Sequence, residues 1–122
     1  MAKIFIAMGA FLGFLGVAAG AFGAHALEKH LSPRSLETFH TGARYHLLHA
    51  VMVVLIGLAL HHFPSRTLEG SGWVMSAGIV VFSGSLYALA LSGVRILGMI
   101  TPIGGLALLT GWLLLGWGIL KS

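Results

Sequence analysis

The chain has 122 residues, of which 57% are hydrophobic and only 8% charged, with no cysteine and a mean hydropathy of +0.97. That balance excludes a soluble globular domain, and the lack of cysteine excludes disulfides, thiolate catalysis and thiolate metal sites. The formal net charge of +4 is scattered over Lys3, Lys29, Arg34, Arg44, Arg66, Arg95 and Lys121, near the ends of apolar stretches. It reads as anchoring at lipid headgroups and not as a nucleic-acid patch.

Four apolar stretches fill the chain, at about 4–26, 42–60, 72–93 and 96–120. Each approaches or exceeds the roughly 20 residues a helix needs to cross about 30 Å of hydrocarbon. No water is available there to satisfy backbone groups, so the spans are predicted as helices. The predicted fold is an all-α, integral membrane four-helix bundle with short loops, forming one domain over residues 1–122. Its expected place is the cell (inner or plasma) membrane, as a multi-pass protein.

The first stretch imitates a signal peptide, with Lys3 before an apolar run and Ala24-His25-Ala26 after it. The run is much longer than a signal core of about 7–15 residues, so a retained span is expected. It carries a glycine stripe at Gly9, Gly13, Gly16, Gly20 and Gly23, with spacings of 4, 3, 4 and 3. These positions share one helix face. Lipid offers no hydrophobic drive for helices to associate, so small residues that allow close backbone approach predict a packing face.

The first loop is the most polar segment. Ser32-Pro33 suits a helix start, with serine as the N-cap and proline in the first turn. Two readings follow. Either a short interfacial helix carries Leu36, Phe39, His40 and Ala43 before the second span enters, or one long tilted helix runs from Pro33 to about His62. Gly42 is the place for a bend.

The third stretch contains Phe82-Ser83-Gly84-Ser85-Leu86-Tyr87, with Ser83 and Tyr87 on one face. Serine in a membrane helix bonds its own preceding carbonyl or bridges to a neighbour. In the fourth stretch Thr101-Pro102 predicts a break, with Ile96–Ile100 as a short turn before the main helix. Gly104, Gly111 and Gly118, seven apart, make a second packing stripe. Trp112 and Trp117 lie toward the outgoing end, where indoles favour the interface. Four spans place both termini on one side. Three bases lie on that side and four on the other, a count that leans toward termini outside.

Five ordered motifs carry a resemblance: Gly20-Ala21-Phe22-Gly23-Ala24-His25; Thr41-Gly42 with Tyr45 and His49; Phe82 to Tyr87; Thr101-Pro102 with Gly104-Gly105; and Gly111-Trp112. Together the chain resembles the small four-span bacterial membrane proteins of the domain of unknown function family four hundred and twenty-three. The resemblance covers essentially the whole chain. It implies four membrane helices and a contribution to membrane integrity, and it implies no reaction.

Candidate chemistry gathers at the second span, in Arg44, Tyr45, His46 and His49. His46 and His49 share a seam with Phe39, Gly42, Val53 and Ile56, so both imidazoles are expected to face protein. His25 ends the first span on the same side of the membrane, so the three imidazoles can converge. With Ser83 and Tyr87 these residues form the candidate ligand site. Imidazoles suit zinc or copper, and two on different helices suit haem. A lipid headgroup or small anion is a further candidate ligand. The leading reading is polar glue between helices, with no cofactor and no metal. Glu37 is the expected ion-pair partner of Arg44.

Proton-coupled export normally relies on a carboxylate within a membrane helix, and here the only acids, Glu28, Glu37 and Glu69, are all expected in loops. No Gly-x-Ser-x-Gly elbow supports hydrolysis. The expected function is non-enzymatic: a structural or accessory protein that packs with lipid, with itself or with a larger membrane complex. A histidine-lined site, with or without transport, is the alternative.

Overall fold

The computed structural model describes all residues, Met1–Ser122. Four helices, each long and apolar enough to cross a membrane, make up the fold: α1 (Ala2–Leu27), α2 (Pro33–His62), α3 (Arg66–Ser92) and α4 (Leu97–Leu120). Within α1, Ala18–Gly23 forms a π-helical turn.

Local chemistry sets the helix ends. Ser32 Oγ accepts the Ser35 N–H at 3.1 Å, with Pro33 in the first turn of α2. Ser65 Oγ accepts the Leu68 N–H at 3.2 Å at the start of α3. Gly93 closes α3 in the left-handed region, at φ 72°, and its N–H bonds the Leu89 carbonyl at 2.8 Å.

The second helix begins at Pro33, so no separate interfacial helix stands between the first two spans. The capped start at Ser32 nucleates one continuous helix through Gly42. That glycine does not break the helix; it admits the Tyr87 ring, whose Cε1 lies 3.0 Å from where a Cβ would sit. The expected break near Pro102 is also absent. Leu97–Ile100 is already helical, and Pro102 lies early enough in α4 that only one intrahelical bond, to the Gly98 carbonyl, is lost.

The helices pack as a row, α1 on α2, α2 on α3, α3 on α4. In the most apolar window of α2 and α3, 44% of residues are buried, against 22% in α1 and α4. The middle helices therefore hold the core and the outer two face lipid on most of their surface. Phe11, Phe14, Phe22, Met99, Leu113 and Leu120 are among the large side chains turned outward.

Both glycine stripes pack within the chain. Along the antiparallel α1–α2 seam, Ile6, Gly9, Gly13, Gly16 and Gly20 lie opposite Gly57, Val54, Ala50, Leu47 and Ala43. The two residue numbers in every pair have the same sum, so the register holds over the whole span. Gly23, the last residue of the π-helical turn, faces the Phe39 ring. The α3–α4 seam behaves alike: Ser85, Phe82, Gly78, Met75 and Leu68 lie opposite Thr101, Gly104, Leu108, Gly111 and Gly118. Where a glycine sits, the neighbouring backbone comes close enough for van der Waals contact to replace the missing hydrophobic drive.

The interior is layered. Phe5, Val53, Ile56, Leu60, Leu68, Met75, Ile79 and Leu108 form one apolar core in the half nearer the termini. The Phe5 ring reaches across to α3, over Gly72, and meets Trp73 edge-on at 5.1 Å. Ala24, Phe39 and Ala90 form a smaller cluster at the loop end. A belt of polar side chains lies between the two.

Candidate functional site

The belt is built from α2, α3 and α4. His46 and His49, one helical turn apart on α2, are 6% and 3% exposed. Their position follows from the α2 seam, which also buries Phe39, Gly42, Val53 and Ile56.

His49 is saturated. Its Nδ1 lies 2.7 Å from the Tyr45 carbonyl, and its Nε2 lies 3.0 Å from Trp112 Nε1. A carbonyl only accepts and an indole N–H only donates. Nδ1 therefore carries the proton and donates to Tyr45, while Nε2 accepts from Trp112. The imidazole is a neutral bridge between α2 and α4. Tyr45 stacks on it nearly parallel, with centroids 6.0 Å apart and 12° between planes.

His46 is half satisfied. Its Nδ1 pairs with the Tyr87 hydroxyl on α3 at 2.8 Å. Its Nε2 is buried and makes no hydrogen bond of ordinary geometry, although the Leu12 backbone on α1 lies within polar reach of the ring. The adjacent ring carbon, Cδ2, lies against α1, 3.4 Å from where a Cβ on Gly16 would sit.

Two hydroxyl bridges complete the belt. Ser83 Oγ donates to the Gly42 carbonyl at 2.8 Å, joining α3 to α2. Ser85 and Thr101 pair at 2.6 Å, joining α3 to α4. Ser83 and Tyr87 thus share the face of α3 that meets α2.

His25 does not join them. It is exposed at the end of α1, one residue after buried Ala24. One residue along a helix is a rotation of about 100°, enough to turn the ring away from the α2 seam. The expected convergence of three imidazoles is therefore absent, and so is a histidine pair from two helices facing one haem. No group of three metal-ligating side chains gathers anywhere in the chain.

Arg44 lies on the outside of α2, where it pairs with Glu37 at 2.9 Å and with the Thr41 hydroxyl at 3.3 Å. Measured back from His62, about 20 residues of helix span the hydrocarbon and reach Gly42–Ala43, so this ion pair sits at the boundary. Between α2 and α4, a groove of about 570 Å³ opens sideways, lined by Tyr45, Leu48, His49, Phe82, Leu109 and Trp112 among others. Its walls are mainly apolar.

The residue missed by sequence reasoning is Trp112. Its place toward the outgoing end of the span suggested an interfacial indole. It stands more than two turns inside the end of α4, where an indole N–H has no water to bond. That depth was the available signal.

A family model described as protein of unknown function (DUF423) matches residues 19–105. The chain is 44% identical over 119 residues to the UPF0382 membrane protein YwdK of Bacillus subtilis, covering 93% of each chain. It is 40% identical over 123 residues to a UPF0382 membrane protein of Haemophilus influenzae, covering 100% of this chain and 98% of that one. The UPF0382 inner membrane protein YgdD of Escherichia coli is 35% identical over 119 residues, covering 98% of this chain and 91% of that one. No solved structure matches the chain. Family match, near full-length relatives and four apolar helices agree, and the chain belongs to the DUF423 family of small multi-pass membrane proteins, whose biochemical role is uncharacterised.

Proposed function

We propose that this protein is a non-enzymatic accessory component of the membrane, contributing to membrane integrity through contacts with lipid or with neighbouring membrane proteins, its own copies included. One observation carries the reading: the polar groups of the belt are used in holding helices together. His49 joins α2 to α4, His46 and Ser83 join α2 to α3, and Ser85 joins α3 to α4. No serine or threonine hydroxyl bonds an imidazole, so neither residue type has a histidine base beside it. The lateral groove adds support. Its apolar walls and sideways opening suit an acyl chain of an adjacent lipid.

The test uses cells lacking this chain, with barrier function read as uptake of an impermeant dye. Wild type should restore the barrier. The double variant His49→Phe/Trp112→Phe removes the imidazole while leaving no unpaired partner, and should restore it equally. Loss of complementation by that variant, at normal membrane abundance, would point to chemistry at His49 and overturn the proposal.

A further inference from the structure

We infer that Arg34 and Arg95 form a binding site for a phosphate group on the loop face of the bundle, separate from the histidine belt. A cavity of about 540 Å³ lies between the start of α2 and the end of α3, lined by Arg34, Ser35, Thr38, Ala90, Gly93 and Arg95 among others. Its floor at Ala90 is 4% exposed, so the site has a base and is not a flat surface. The two arginines come from different parts of the chain. Arg34 stands in the first turn of α2. The left-handed turn at Gly93 redirects the chain after α3 and brings Arg95 to the same rim.

Neither guanidinium is neutralised within the protein. The chain's one ion pair joins Arg44 to Glu37, and neither Arg34 nor Arg95 makes a side-chain hydrogen bond. Glu37, one turn from Arg34 on α2, is held by Arg44. Glu28 and Lys29 belong to the preceding loop and do not line the cavity. Two like charges therefore share one cavity with no counter-charge in its wall. The hydroxyl of Ser35 is unengaged, and that of Thr38 donates to the Arg34 carbonyl at 3.1 Å while its oxygen remains on the wall. The Ser35 N–H is already taken by Ser32. Side chains, and not the helix end, supply the site.

Paired guanidinium forks facing a cavity match the oxygens of a phosphate, which each can hold by two parallel bonds. Depth leaves two sources for that group. About 20 residues from Arg66 reach Leu86, and the same count back from His62 reaches Gly42–Ala43. Arg34 and Arg95 both lie about two turns farther out, at the outer edge of the headgroups. A phospholipid phosphate and a free phosphate can both reach them.

The full-length protein tests this in two arms. In the first, native mass spectrometry follows retention of phosphatidylglycerol after release from bilayers of phosphatidylcholine and phosphatidylglycerol. In the second, melting in neutral detergent is followed against inorganic phosphate. The variant is Arg34→Gln/Arg95→Gln, with Arg66→Gln/Lys121→Gln as a control of equal charge loss on the opposite face. Arg95→Gln, in a loop outside every helix, serves as a second variant that leaves the helices untouched. A roughly tenfold loss of lipid retention in the double variant, spared in the control, assigns a lipid phosphate. A phosphate-dependent rise in melting temperature, lost in the double variant and kept in the control, assigns a free phosphate. Arg95→Gln should give a partial loss in the same arm. If neither arm separates the Arg34/Arg95 variants from the control, the inference is wrong.

Discussion

Trp112 Nε1–H donates to His49 Nε2 over 3.0 Å and ties the outer helix α4 to α2, across the edge of α3. Because an indole cannot accept, this bond also sets the His49 tautomer and directs its Nδ1–H to the Tyr45 carbonyl at 2.7 Å. A second proton on Nε2 would face the indole N–H and break the bridge.

The bridge should appear as coupling in a double-mutant cycle. His49→Phe or Trp112→Phe alone leaves the other side chain unpaired, at a cost of about 1–3 kcal/mol. The double variant should be less destabilised than the sum, with a coupling of about 0.6 kcal/mol, the average for hydrogen bonds between membrane helices, and no more than about 1.7 kcal/mol. Reversible unfolding in detergent measures it. Additive losses would mean that the bond contributes nothing.

The glycine seams predict an order of damage and not a uniform one. A Cβ on Gly9 would lie 2.7 Å from the Val54 backbone nitrogen, whereas on Gly13 the nearest atom is 4.0 Å away. Gly9→Ala should cost about 1–3 kcal/mol through forced separation of α1 and α2. Gly13→Ala should be neutral or gain up to about 1 kcal/mol of helix propensity. Gly104, whose Cβ would run into the Phe82 backbone, should behave like Gly9; Gly116, with nothing nearby, should behave like Gly13. Equal melting temperatures across all four alanine variants would refute the register.

The unpartnered nitrogen of His46 gives a prediction of opposite sign for one and two substitutions. Tyr87→Phe keeps the ring against Phe39, at 4.8 Å between centroids, but removes the hydroxyl from His46 Nδ1. The imidazole then loses its one side-chain partner. Adding His46→Leu removes the stranded groups, so the double variant should melt above Tyr87→Phe alone. A double variant that melts lower would show that His46 Nε2 has a partner of its own in the Leu12 backbone of α1.

Proton-coupled cation export is not expected. Glu28 lies in a loop, but Glu37 and Glu69, expected in loops, lie near the starts of α2 and α3, which extend beyond the apolar stretches; Glu37 is paired with Arg44, and no carboxylate reaches the middle of the bundle. Liposomes containing the protein, with an imposed pH gradient, should not accumulate a quaternary ammonium dye. Uptake that disappears with His49→Ala would reverse this expectation and make His49 the coupling group.

The membrane class and the four helices were legible in the sequence because hydropathy and length act locally. A run of apolar residues must satisfy its backbone internally, whatever its neighbours. The two glycine stripes were legible as packing faces for the same reason: helical periodicity alone places them on one side. What covers each face was not legible. Periodicity gives the direction a residue points around its own axis, but not the axial position of the helix opposite. Only the packed helices set the register that puts Gly9 on Val54 and Gly104 on Phe82. Hydrogen bonds are still more sensitive, since they act only near 3 Å. The sequence therefore marked His46 and His49 as inward. It left open that Trp112 and Tyr87 complete them, and it set His25 among them when a single step of rotation turns it out. The meeting of Arg34 with Arg95 is of the same kind, a contact created by where two helices end and not by either segment alone.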